Sequence, residues 1–279
     1  MTKAWIDRVA LPCTALLSSY NTPAKYLFSP IQDSEVVKTA FYDLLAKLHL
    51  TNAQAQLREL EQKLPSARSR FAIPFIFRGQ GHFKKIRARQ NPVEIEHLFD
   101  EICQLNPERV LEIGTAKGGT LYLWAQAASD NASLMSVDLP GGDFGGAYAP
   151  CRSALYKSFA RPGQTINLEL ADSHLPESQA KVKEYFGDQQ IDFAFIDGDH
   201  TYEGVKADFN DYGPLVRPGG IIAFHDVLYR ENQPSIRVDI LWEELKKQYD
   251  CTEFIGPEGS GKVIGIGFLR VPENGIQPI

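Results

Sequence analysis

Two apolar runs in this chain end in carboxylate and imidazole. "FIDGDH" closes the run that starts at Ile191, and "GGIIAF" leads directly into "HDV". Asp197, His200, His225 and Asp226 therefore sit where two strands are expected to leave the core. In an open α/β sheet the carboxyl ends of strands are where ligands bind. Two carboxylates on neighbouring strand ends repel one another and suit a divalent cation. His200, three residues past Asp197, can stand over the same spot as a general base. Base and cation are the two devices that help a poor nucleophile, such as a hydroxyl, lose its proton. A histidine at a strand end, taken singly, more often only hydrogen-bonds, so the elements that carry these residues decide the reading.

A strand buried on both faces reads as a near-continuous apolar run. Such runs occur at 109–113, 133–139, 165–170, 191–196 and 220–225, with helical periods between them. The alternation predicts a doubly wound α/β fold, a mostly parallel, Rossmann-like sheet with helices on both faces. Downstream, "CTEFIG" and "VIGIGFL" are separated by a link too short for a helix, which predicts an antiparallel pair. Upstream, Asn91 before Pro92 marks a helix start, with Ile95, Leu98, Phe99 and Ile102 as its buried stripe. Earlier still, Val36, Val37, Ala40, Phe41, Leu44, Leu45 and Leu48 mark one helical face. Thr51 reads as the cap of a second helix carrying Leu57, Leu60 and Leu64, so the two form a predicted helical hairpin. Residues 1–90 are thus a helical N-terminal extension or cap, and 91–279 the sheet domain.

Composition narrows the function. The net charge of −6 opposes a sequence-independent hold on nucleic acid, which needs a basic face. No apolar run approaches the ~18 residues of a membrane span. "RVALPCTALLSSY" is interrupted by Pro12 and preceded by Asp7, so it reads as mature chain rather than a leader. The four cysteines form no CxxC, which fits reduced thiols in the cytoplasm.

"RVLEIGTAKGGT" runs from strand to helix. Gly114, Gly118 and Gly119 allow a tight turn and a close backbone approach to a ligand, and the helix start beyond offers unpaired N–H groups. The spacing is not the G-x-G-x-x-G of a dinucleotide site. Glu112, two residues before the first glycine, suits a cationic ligand rather than a pyrophosphate. Asp138 closes the next strand, placed to accept both hydroxyls of a ribose. Asp172 and Ser173 close the third strand, where an adenine edge would lie.

"LEIGTAKGGT", "VDLPGG", "LADSH", "FIDGDH" and "LVRPGGIIAFHD" occur in this order, each at a strand end. Over roughly residues 90–270 the chain thereby resembles the class I S-adenosylmethionine-dependent methyltransferases. The resemblance implies a seven-stranded sheet with an antiparallel last strand and S-adenosyl-L-methionine as cofactor. It places Glu112 by the methionine ammonium, and Gly114, Thr115 and Gly118 beneath the cofactor. Asp138 falls at ribose, Asp172 and Ser173 at adenine, and Asp197 at the cofactor's edge.

More narrowly, the chain is similar to the metal-dependent O-methyltransferases related to catechol O-methyltransferase, above all bacterial members of the cephalosporin and macrolide pathways. That likeness implies a divalent metal on Asp197, His225 and Asp226, with His200 as catalytic base. The first residue of the strand-five pair is usually Asp or Glu in that family. His225 in its place favours Mn, Zn or Fe over Mg if it is a ligand. The acceptor is then a small hydroxylated molecule, a natural product or sugar, and the N-terminal helices cover the site or build a homo-oligomer. Two rival readings are a metal-independent enzyme with His200 as sole base and a cofactor-binding protein without catalysis.

Other stretches are less specific. "DLPGGDFGGAYAP" suggests a mobile loop near the cofactor. The basic "FRGQGHFKKIRARQ" reads first as a solvated surface segment and second as a guard of the site or a contact for an anionic substrate group. "LYRENQPSIRV" has the length of a lid that supplies Tyr229 or Arg230 to substrate. Asp199 is expected to cap the next helix, with Glu203 in its first turn, and His174 to lie at the surface.

Overall fold

The computed structural model describes residues 35–141, 148–257 and 263–279, with side chains from residue 42 onward. The readings placed on residues 1–34, and the glycine-rich centre 142–147 of the loop after the second strand, lie outside the described residues.

Among the described residues seven strands form one sheet: β1 (Arg109–Ile113), β2 (Ser133–Asp138), β3 (Thr165–Leu170), β4 (Ile191–Ile196), β5 (Val216–His225), β6 (Cys251–Phe254) and β7 (Ile266–Arg270). Their order is β3-β2-β1-β4-β5-β7-β6. The first five are parallel, and β7 runs antiparallel to both β5 and β6. The order reverses between β1 and β4, so the crevice above their carboxyl ends is the topological switch point where ligands bind. Glu112 pairs in register with Phe195, and Ile113 with Ile196, which brings the glycine loop and "DGDH" side by side.

Successive strand residues face opposite sides of the sheet. Val110, Leu134, Phe193, Phe195, Ile221 and Ala223 bury themselves on one face. Leu111, Met135, Ala194, Ile196, Ile222 and Phe224 do so on the other. Both faces are covered, which is why the runs read as continuously apolar. Trp124 lies edge-on to Phe193 and Phe195, with centroids 4.9 and 5.1 Å away. The helix Pro92–Leu105 starts as its sequence indicates. Asn91 accepts from the Val93 amide, Pro92 sits at the first turn, and Ile95, Leu98, Phe99 and Ile102 are buried.

The predicted hairpin is instead one helix, α1, running unbroken from Glu35 to Lys63. No glycine or proline interrupts that stretch. Thr51 Oγ1 donates to the Lys47 carbonyl at 3.1 Å, a bond to the preceding turn that leaves the helix intact. The predicted apolar stripe also fails at Leu44 and Leu48, which are 64% and 52% exposed. Burial begins further along, at Ala53 and Leu57. These two share a core with Phe77, Phe83 and Ile86 and with the helices on the β1 side of the sheet. Tyr122 donates to Glu61 at 3.0 Å across the same contact. Among the described residues no helix is long and apolar enough to cross a membrane.

Candidate active site

The loop after β1 is forced to be glycine at two points. Gly114 has φ +94°, and a Cβ there would stand 2.1 Å from the Asp197 carbonyl oxygen. A Cβ on Gly119 would meet the Ala88 amide nitrogen at 1.9 Å. The second glycine therefore admits the chain's own segment 86–88, in addition to any ligand the turn receives. That segment is the basic stretch of the sequence. It runs extended, with Ile86, Ala88 and Gln90 buried and Arg87 and Arg89 outward, and Arg87 forms a parallel bridge with Gly118. Arg152 ties it down, donating to the carbonyls of His82 and Lys85 and to the Tyr156 hydroxyl. Burial, with the nearby charges of Arg89, Arg87, Lys85 and Arg152, lowers the pKa of Lys117.

Beneath the loop lies a buried polar chain. The Thr115 and Ser136 hydroxyls are hydrogen-bonded, and Ser136 donates to Glu112 at 2.9 Å. Glu112 is fully buried, and burial pushes its carboxyl up to about 8 against the hydrogen bonds from Thr120 and Ser136. A buried carboxyl held near neutrality is stabilised as an anion by an arriving cation. Asp138, at the end of β2, accepts from the Thr115 amide at 3.2 Å. Beside it lies Tyr148, whose hydroxyl is pushed up by burial and by the Asp138 charge.

Asp172 and Ser173 follow β3, the first in a turn contact and the second in a contact 39 residues away in sequence. Asp172 Oδ1 accepts from the His174 amide at 3.0 Å, and the Ser173 carbonyl accepts from the Tyr212 hydroxyl at 2.6 Å. His174 was expected at the surface. It is half-buried, with Nε2 3.3 Å from Asp208 Oδ1 and a pKa raised to about 9, chiefly by its bond to that carboxylate. The expected cap at Asp199 is displaced by two residues. Thr201 caps the helix Tyr202–Tyr212, and Asp199 accepts from the Thr201 amide at 2.8 Å just before it. Glu203 is in the first turn, as expected.

Asp197, His200, His225 and Asp226 do converge. His225 Nδ1 lies 3.0 Å from Asp197 Oδ1 and 3.3 Å from Asp226 Oδ2. His200 Nδ1 lies 2.9 Å from the same Asp226 oxygen, and His200 Nε2 lies 3.8 Å from Asp197 Oδ1. Asp226 occupies the left-handed region at φ +64°, a conformation that Asp tolerates better than most residues. It is there that the strand ends and the carboxylate joins the two imidazoles. Burial alone would lower the His225 pKa; Asp197 and Asp226 overcome it and raise it to about 10. Asp226 is held far below the usual carboxylate range despite burial, by His225 and His200. The backbone amide of Arg237 donates to the His200 carbonyl at 2.7 Å, so the segment read as a lid anchors His200 instead of hanging free.

Donor atoms of Asp197, His225 and Asp226 all lie within 4.8 Å of one another. His225 Nε2 is buried and, among the described residues, has no hydrogen-bond partner. Two carboxylate oxygens and an imidazole nitrogen at this spacing fit a divalent cation of borderline hardness. Two residues to which the sequence assigned no role of their own join the site, the first of them the last residue of the basic stretch 77–90. Gln90 donates to Asp197 Oδ2 at 2.6 Å, from the residue just before the Asn91 cap. Ser136 is an interior strand residue whose hydroxyl faces Glu112. No periodicity marks either one.

Residues 111–227 match the family described as a methyltransferase domain. An uncharacterised protein of Sinorhizobium fredii is 30% identical over 145 residues, half of this chain and 15% of that one. One of Acanthamoeba polyphaga mimivirus is 29% identical over 127 residues, 42% of this chain and 50% of that one. The chain thus spans between 15% and 50% of the curated relatives it matches. Among solved structures, an O-methyltransferase from Bacillus cereus in complex with SAH aligns with a TM-score of 0.50 at 18% identity, over 77% of this chain and 90% of that one. That likeness concerns the fold. Residues 111–227 of this chain are thus matched as a methyltransferase domain, and they lie within the seven-stranded sheet of order β3-β2-β1-β4-β5-β7-β6.

Proposed function

We propose that the protein transfers the methyl group of S-adenosylmethionine to a hydroxyl of a small molecule, a natural product or sugar, with His200 as base and a divalent cation on Asp197, His225 and Asp226. The observation that carries this reading is the His200–Asp226 contact of 2.9 Å beside the three converging donors. A sulfonium leaves as a neutral sulfide, so the leaving group needs no acid. The nucleophile needs the help. With Nδ1 committed to Asp226, the imidazole presents Nε2 as its basic nitrogen, the tautomer logic of a carboxylate-oriented histidine. The cation, when bound, lowers the hydroxyl's pKa.

The cofactor reading assigns Glu112 to the methionine ammonium, and Gly114, Thr115 and Gly118 to the floor beneath it. It gives Asp138 to the ribose, Asp172 and Ser173 to the adenine side, and Asp197 to the edge shared with the cation. The four cysteines form no CxxC, which fits a reducing, cytoplasmic setting. The exposed Leu44 and Leu48 of α1 fit a contact with a second copy, with residues 1–90 as its extension.

One observation favours a metal-independent enzyme. Arg230 already donates to Asp226, and the His225 imidazole lies between the two carboxylates where a cation would sit. Equilibrium dialysis against Mn and Mg separates the two. The metal reading expects one class of site in the wild type, lost in Asp197→Ala, together with turnover abolished by chelation. Full turnover after exhaustive chelation would establish the metal-independent route.

A further inference from the structure

Arg230 is an arginine with donors to spare and little solvent around it. Its side chain is 9% exposed and one terminal nitrogen donates to Asp226 Oδ1. Among the described residues its Nε and its other terminal nitrogen are buried with no hydrogen-bond partner. An unsatisfied buried donor costs about 1–3 kcal/mol, and more on a charged group. An ion pair with Asp226 alone would leave that cost standing. The fold nonetheless fixes the backbone that carries the guanidinium. Val227 and Leu228 pair their amides with the carbonyls of Gly265 and Ile264, and Gln233 donates to the Arg230 carbonyl at 3.0 Å. Tyr229, its neighbour, turns outward and is 53% exposed.

We infer that Arg230 binds an oxyanion carried by the methyl acceptor, so that the acceptor is a hydroxy acid or hydroxy phosphate rather than a neutral alcohol. The inference rests on the reading of His200 as the base. Asp226 presents one oxygen to His200 Nδ1 and the other to Arg230, so imidazole and guanidinium flank a single carboxylate. A hydroxyl at His200 Nε2 and an oxyanion at Arg230 can therefore belong to one small molecule. Arginine's planar array of donors suits a carboxylate or phosphate in this role. The oxyanion satisfies donors that Asp226 cannot reach, and it offsets the positive charge that a bound cation would add.

The test measures binding without turnover, on full-length protein loaded with S-adenosylhomocysteine. Glycolate, 3-hydroxypropanoate and salicylate are compared with their amides by calorimetry, with inorganic phosphate as a separate arm. At least one acid should bind about tenfold or more tightly than its amide, the scale of a charge-assisted hydrogen bond. Arg230→Gln should remove that preference, and Arg230→Lys should restore part of it. Phosphate competing with the acids would assign the oxyanion to the phosphate class; its failure to compete would assign carboxylate. A wild type without preference for any acid, or an Arg230→Gln protein that keeps it, would overturn the proposal. A purely structural Arg230 would change stability in both variants and leave the acid-to-amide ratio alone. Failure of S-adenosylhomocysteine itself to bind would sink the cofactor reading instead, and the acid-to-amide ratio measured without it would still test Arg230.

Discussion

His200 Nδ1 lies 2.9 Å from Asp226 Oδ2, and this contact joins the loop after β4 to the end of β5. It gives one carboxylate two tasks: it orients the imidazole, and it belongs to the donor set on which a cation could sit. His225 bridges Asp226 to a second carboxylate, with Nδ1 3.0 Å from Asp197 and 3.3 Å from Asp226. The four residues therefore act as a unit, and single substitutions among them will not have additive effects.

Asp138→Ala should weaken S-adenosylmethionine binding by ~1.5–3 kcal/mol per lost hydrogen bond to a charged acceptor. Its bond to the Thr115 amide means part of the loss will come from a looser glycine loop. Calorimetry checks it, and an unchanged affinity would take Asp138 out of the ribose site.

Glu112 is held at about 8, so at pH 7 it is mostly protonated before cofactor binds. An ammonium placed against it should pull the carboxyl down and expel the proton. Binding enthalpies in buffers of different ionisation heat should show proton release at pH 7 that fades above pH 9. No release at pH 7 would show that the ammonium lies elsewhere.

The pair of His174 and Asp208 predicts a pH dependence of stability. The folded His174 titrates at about 9, above its ordinary 6.5. Its contribution is therefore fully present below about 6.5 and disappears as pH rises through about 9. Denaturant midpoints of wild type should fall across that window, and those of His174→Gln should be flatter. Parallel curves for the two proteins would contradict the pairing.

Leu57→Ala should cost about 2–5 kcal/mol, the range for a buried leucine, whereas Leu44→Ala should stay within about 0.5 kcal/mol. Leu57 is 2% exposed and Leu44 is 64% exposed. Equal denaturant shifts would mean α1 is not seated as described. The same packing means that deleting residues 1–70 takes Ala53 and Leu57 out of the core, so truncation should destabilise the sheet domain rather than merely uncover it.

The sheet was legible because its strands are buried on both faces, so each apolar run marked a strand and each run's end marked the crevice. The cluster at Asp197, His200, His225 and Asp226 followed from those ends. Gln90 was not legible, because it reaches Asp197 across 107 residues of sequence through a fold that no local pattern encodes. The sequence does not settle Thr51, because a threonine between an apolar-striped segment and a polar one caps a helix or bonds back within one, and only the tertiary contacts of Ala53 and Leu57 decide. Asp172 was placed correctly after β3, yet its observed bond is the short-range turn to His174 that the residue type also allows.

The most direct measurement follows a labelled methyl from S-adenosylmethionine into a panel of hydroxylated acceptors, for wild type and His200→Ala. The methyl should appear on oxygen, formed in step with S-adenosylhomocysteine. The rate should be ~10²–10⁴-fold lower in the variant at pH 7, the span of a general base, with the residual activity rising with pH. Transfer to nitrogen or carbon, or an oxygen-methylating variant as fast as wild type, would contradict it.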